Sequence, residues 1–170
     1  MARVSIKEVR EAFEVLFDAL LDPAFRKTSD FRQLSERPLL SYIRFFLLGW
    51  FGDVAPEARA RLAAGRSGRF DFLVGNTAIE VAVKSSSAYF GNPLAFPTNY
   101  SEIVKLLKHD GPSILVLLDF SKKPAFPEKK SLDAYYGSFV AGKGNHKTSS
   151  FTVLYYRNVP GPDRSILLRV

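Results

Sequence analysis

From residue 6 to residue 22 the apolar positions Ile6, Val9, Phe13, Leu16, Phe17 and Leu20 recur at helical spacing, and Pro23 ends the run. Ser5 and Glu8 stand in the spacing of a capping box, so the pattern predicts an amphipathic helix over residues 6–22. A polar connection from Lys27 to Arg37 follows, and residues 38–49 are then apolar on nearly every side. That predicts a second, buried helix with Ser35 as its cap and Gly49 as its stop. Residues 53–68 show no clear period and end in the turn sequence Gly65-Arg66-Ser67-Gly68.

The period then shortens to two. Residues 69–74 and 77–84 are strand-like runs around Gly75-Asn76, a strong hairpin signal. A turn centred there sets Val74 opposite Thr77, Leu73 opposite Ala78, Phe72 opposite Ile79 and Asp71 opposite Glu80. Alternation places Arg69, Asp71, Leu73, Glu80, Ala82 and Lys84 on one face. The other face, Phe70, Phe72, Val74, Ile79, Val81 and Val83, is wholly apolar. A loop over residues 85–98 leads to a helix, 99–108, and Ser113 to Phe120 reads as a continuous apolar strand covered on both faces. Residues 122–130 read as a Pro- and Lys-rich loop, 142–148 as a basic loop, and 151–157 and 165–170 as two further strands. The fold class is mixed α/β: a single domain over residues 1–170, with a central mixed β-sheet flanked by helices.

Composition narrows the function classes. The chain has no Cys, which excludes a disulfide framework, a thiolate metal site and a thiol nucleophile. Its two histidines, His109 and His146, lie in separate segments without metal-ligand spacing. The start lacks the apolar core of a signal peptide, and the longest apolar run is far short of a membrane span, so a cytoplasmic location and no membrane partner are expected. The net charge of +7 is concentrated late: residues 120–170 carry 9 basic and 3 acidic side chains, against 15 and 14 in residues 1–119. Such an imbalance attracts phosphate backbones. Lys143 and Lys147 of the basic loop, with Arg69, are the candidate nucleic-acid contacts. Tyr135-Tyr136 and Tyr155-Tyr156 have the chemistry to stack on bases, although alternate Tyr residues in a strand more often serve the core.

The carboxylates offer the sharpest chemistry. Like charges directly opposite on a sheet destabilise it unless something compensates, and a divalent cation held by hard oxygen ligands would do so. Gly68-Arg69-Phe70-Asp71-Phe72-Leu73-Val74, then Ile79-Glu80-Val81-Ala82-Val83-Lys84, then a helix and a buried strand, resembles the PD-(D/E)XK, or restriction-endonuclease-like, nuclease superfamily over residues 36–120. The resemblance implies that Asp71 and Glu80 bind Mg²⁺, with Mn²⁺ as a substitute, and that a lysine helps to activate the attacking water. The position two after Glu80 is Ala82, so that lysine is displaced to Lys84, roughly 6.6 Å further along the strand at about 3.3 Å per residue. A third acid from the first core helix or an early strand is implied too. Glu36 and Glu57 are the candidates, and Glu57 is favoured because Pro56-Glu57 falls where an early strand would lie. The implied activity is metal-dependent hydrolysis of DNA, in preference to RNA, by a monomer or homodimer. The alternative is a non-catalytic nucleic-acid-binding or assembly module.

Overall fold

The computed structural model describes residues 4–61, 67–87, 92–140 and 150–170. It is a mixed α/β domain built on one six-stranded sheet. The strands are β1 (Ala55–Arg61), β2 (Ser67–Val74), β3 (Thr77–Lys84), β4 (Ser113–Asp119), β5 (Thr152–Arg157) and β6 (Ser165–Arg169), and they lie in sequence order. The β1–β2, β2–β3 and β5–β6 pairs are antiparallel, while β3–β4 and β4–β5 are parallel. A parallel neighbour needs a crossover. Helix α4 (Tyr100–Lys108) supplies the first and α5 (Lys129–Val140) lies within the second.

Helix α1 (Ile6–Leu21) begins at the expected capping box: Glu8 N donates to Ser5 Oγ, and Ser5 N donates to Glu8 Oε2. Its apolar stripe from Val9 to Leu20 packs with Leu39, Ile43 and Leu47 of α3 (Glu36–Phe51) against one sheet face. A four-residue helix, α2 (Pro23–Arg26), precedes the connection read as merely polar, and a 3-10 turn at Phe31–Gln33 interrupts it. The other sheet face is covered by α4 and α5 through Ile103, Leu106, Leu107, Leu132 and Tyr136. Strand β4 is buried along its whole length, with Ile114, Val116 and Leu118 in the first layer and Leu115 and Leu117 in the second. Among the described residues no helix is long and apolar enough to cross a membrane.

Several expectations need correction. Helix α3 is buried on one stripe only: Tyr42, Phe45, Leu48 and Trp50 remain exposed, Phe45 by 74%. A sheet contacts one side of a helix, and among the described residues no further layer covers the opposite side. The helix also runs through Gly49 and ends at Gly52, whose φ of 74° suits the left-handed stop. Residues 53–68, read without an element, contain β1. Helix α5 starts where only a loop was expected, and its anchors Leu132 and Tyr136 are too few to give a strong period. Tyr136, Tyr155 and Tyr156 are core residues and have no ring face free for a base.

Asp119, fully buried at the end of β4, organises the turn that follows. It accepts from Ser121 N, Ser121 Oγ, Ala125 N and the Tyr155 hydroxyl. Phe126 N in turn donates to Tyr155 Oη at 3.1 Å.

Candidate functional site

The hairpin register is the one the turn dictates. Gly75 takes a φ of 58°, and Val74↔Thr77, Leu73↔Ala78 and Phe72↔Ile79 are partners. Continuing that register sets Asp71 opposite Glu80, but the backbone ladder stops one step short. Asp71 Oδ2 instead accepts the Val81 N–H at 2.9 Å, so a side-chain carboxylate stands where a carbonyl would pair.

The same residue interrupts the strand on its other side. The partners Pro56↔Phe72 and Ala58↔Phe70 place Glu57 across from Asp71, yet Glu57 is itself unpaired in the ladder. Its φ of 47° is uncommon for a residue with a Cβ. This local irregularity accompanies a second departure from alternation: Phe72 and Val74 join the α1–α3 layer, whereas Phe70 joins the α4–α5 layer. The expected apolar face therefore loses Phe70, which packs edge-on to His109.

Glu80 is 2% exposed. The ammonium of Lys105, one turn from the end of α4, pairs with its Oε1 as an ion pair without hydrogen-bond alignment. Lys105 also donates to the Arg69 carbonyl at 2.9 Å and lies 5.8 Å from the Phe70 ring centroid. The backbone irregularity at Asp71 thus exposes a carbonyl and a ring that fix the lysine beside the carboxylates.

Burial drives the protonation of the cluster. The Glu80 carboxyl is pushed up to about 8, first by burial, then by the Asp71 charge, with Lys105 acting against both. Asp71 is raised by burial as well, but the Val81 N–H, Glu80 and Lys105 pull it back. The hydrogen bond between the two raises Glu80 and lowers Asp71, which is the pattern of a Glu80 acid donating to an Asp71 carboxylate. Glu36, the first residue of α3, joins them. The residue as a whole is exposed, but its carboxyl end is desolvated and lies near Asp71, which pushes it up to about 7 against the Val83 N–H. Glu102 of α4 adds a fourth acid whose charge is felt by both Glu36 and Asp71.

The structure therefore seats Lys105 beside Asp71 and Glu80, and brings the charges of Glu36 and Glu102 within reach of that cluster. Sequence reasoning found Asp71 and Glu80, offered Glu36 as the lesser candidate, and missed Glu102 and Lys105. Their only signal was an i, i+3 pair of opposite charges on one turn of α4. Glu57 is placed differently from these acids: its side chain is 68% exposed and pairs with Arg69 on the surface. Lys84 is half-buried at the end of β3, its backbone beside Asp119, and forms no ion pair with Asp71 or Glu80. Lys143 and Lys147 lie outside the described residues.

A cleft of about 360 Å³ opens between α3 and the β1–β2 pair. Asp71 lies on its wall, and Arg37 and Arg44, one heptad apart on α3, line its other side. Neither arginine has a carboxylate partner among the described residues.

As placed, no three acidic or histidine side chains among the described residues could together hold a metal ion. Two hard carboxylates, Asp71 and Glu80, do fit the minimal donor set for a cation such as Mg²⁺, which keeps most of its waters. Burial raises the proton affinity of both, and on Glu80 the Asp71 charge adds to it; a bound cation would offset that cost. No family model matches the chain, and neither a curated protein nor a solved structure matches it.

Proposed function

We propose that this chain is a magnesium-dependent endonuclease, or the nuclease subunit of a larger assembly, acting on DNA phosphodiester bonds. The observation that carries the reading is the Asp71–Glu80 pair with Lys105 seated on buried Glu80, Asp71 lying on the wall of a cleft that also carries Arg37 and Arg44. The element order α3–β1–β2–β3–α4–β4 supports the resemblance to the restriction-endonuclease-like superfamily.

Asp71 and Glu80 would hold the metal, which when bound acidifies a water and offsets charge developing on phosphate. Arg37 and Arg44 would seat the backbone by charge-assisted hydrogen bonds. Lys105, freed from Glu80 once that carboxylate has another cation, is positioned to orient the attacking water. It takes the part first ascribed to Lys84, because it already reaches the carboxylates. Glu36 would receive a proton, since an acid raised towards neutrality is a better base than an ordinary carboxylate.

A second reading, a non-catalytic nucleic-acid-binding or assembly module, is favoured by two features: Lys105 already occupies Glu80 Oε1, and Ala82 stands in the usual lysine position. Cleavage of plasmid, linear and single-stranded DNA with Mg²⁺, Mn²⁺ or chelator separates the two. Metal-dependent products that vanish in Asp71→Asn and Glu80→Gln support the enzyme, and binding without products under any metal supports the module.

A further inference from the structure

A second polar cleft, about 600 Å³, lies at the opposite end of the sheet from the β2–β3 turn, where β5 meets β6. Its key residue is Arg157, the last residue of β5 and the ladder partner of Asp119 at the end of β4. The C-terminal ends of parallel strands are where open α/β sheets commonly bind ligands. Arg157 is 7% exposed, yet no carboxylate among the described residues lies within ion-pair reach of it. Its Nε donates to the Asp163 carbonyl, while its two terminal nitrogens have no acceptor among the described residues. Asp119, the neighbouring acid, is already engaged by Ser121, Ala125 and Tyr155.

Arg157 lines the cleft with its terminal nitrogens still reached by solvent, and a guanidinium fork is shaped for two oxygens of one anion. The surroundings favour that sign. Lys129 lines the same cleft at the first turn of α5, where the Lys129 and Lys130 N–H groups reach no backbone carbonyl among the described residues. The positive end of the α5 dipole therefore faces the cleft. Arg10 lines it as well, although its Nε is held by Glu14. Glu128 and Asp163 are the opposing charges on the rim, and both are exposed.

We infer that this cleft binds a phosphate-type oxyanion, gripped by the free fork of Arg157 and assisted by Lys129 and the first N–H groups of α5. Nothing in this inference depends on the nuclease reading, because the cleft shares no residue with the Asp71–Glu80 cluster. Two sources share the chemistry, free phosphate and a phosphate of a polynucleotide chain.

The test follows the backbone amide resonances of Ser165 and Ile166, which line the cleft and are kept in every variant, in the full chain with chelator so that cleavage plays no part, during titration with inorganic phosphate or a 5′-phosphorylated thymidine trinucleotide. A saturable shift is expected, weakened about 10-fold or more in Arg157→Lys, which loses the fork, and several-fold in Lys129→Ala. The Lys129 variant changes an exposed side chain and decides the matter if Arg157→Lys does not fold. A trinucleotide that binds tighter than phosphate would identify a polynucleotide as the source, and equal affinities would identify free phosphate. No saturable shift with either probe, or an affinity unchanged in Lys129→Ala, overturns the proposal.

Discussion

Lys105 on α4 and Glu80 on β3 form a buried contact that joins the crossover helix to the hairpin, with the Arg69 carbonyl as the lysine's second anchor. The pair does not silence the carboxylate: Glu80 still keeps its proton up to about 8, because burial and Asp71 outweigh one ammonium. The cluster is therefore a store of protons near neutral pH, and the stability of the fold depends on pH as a result.

In the unfolded chain Glu80 titrates near its ordinary value of 4.5, whereas folded it titrates near 8. Between those values the native state holds a proton that the unfolded state has lost, so stability falls as pH rises through the window and levels off above it. Glu36 adds to the fall in the same direction up to about 7. Urea unfolding between pH 5 and 9 should show a loss on the order of a few kcal/mol, reduced in Glu80→Gln. If the cluster binds Mg²⁺, the ion should raise the melting temperature more at pH 8 than at pH 6, since protons compete for the same oxygens. A pH-independent stability would contradict the buried proton.

Lys105 and Lys84 can be separated by substitution. Lys105→Ala leaves Asp71 and Glu80 to share their burial without a cation, and it should cost about 1–3 kcal/mol, less than a fully buried pair because Glu80 can stay protonated. If the protein cleaves DNA, the same change should lower turnover by roughly 10²–10⁴. Lys84→Ala, which breaks no ion pair, should fall within about 0.5 kcal/mol of wild type. Equal losses of turnover in both variants would mean that Lys84 moves to the cluster when substrate binds.

The hairpin, its register and the cross-strand acids were legible because they are local: a Gly-Asn turn and a period of two determine which residues face one another. Lys105 was not, since its partner lies 25 positions away in sequence and is reached only after α4 packs across β2 and β3. Phe70 was misplaced for a related reason. Alternation assumes an unbroken pleat, and Asp71 breaks it by pairing through its side chain. Helix α3 shows the limit of reading burial from composition, because Phe45 and Ile43 are equally apolar and only the sheet's position distinguishes them.

That last contrast is itself testable. Ile43→Ala should cost about 2–5 kcal/mol by opening a cavity in the α1–α3 layer. Phe45→Ala, removing a larger side chain from an exposed site, should change stability by about 0.5 kcal/mol or less. Comparable losses in chemical denaturation would mean that Phe45 is covered, for instance by a second copy of the chain.

Asp119 ties β4, β5 and the turn that follows β4 through acceptors that no other group replaces. Asp119→Ala leaves two backbone N–H groups and the Tyr155 hydroxyl without it, and a loss of about 3–5 kcal/mol is expected at neutral pH. Asp119→Asn keeps one acceptor oxygen and should recover part of that loss. An alanine variant as stable as wild type would show that water satisfies these donors.

The cleft between α3 and the β1–β2 pair makes the strongest demand on the nuclease reading, because there affinity and chemistry are carried by different residues. Arg37 and Arg44 are free of carboxylate partners among the described residues and line the wall facing Asp71, so a phosphodiester drawn to them would lie within reach of the acidic cluster. Removing one cation that neutralises a phosphate should reduce the dependence of log affinity on log salt by roughly 0.7–0.9. Arg37→Ala with Arg44→Ala should therefore lower DNA affinity at low salt and flatten the slope by up to about 2, leaving the melting temperature nearly unchanged. Asp71→Asn should do the reverse, removing cleavage with affinity and slope intact, since base-independent affinity comes from the basic side chains. A double arginine variant that binds with wild-type affinity and slope would place the DNA on another surface, and the Asp71–Glu80 cluster would then have no substrate beside it.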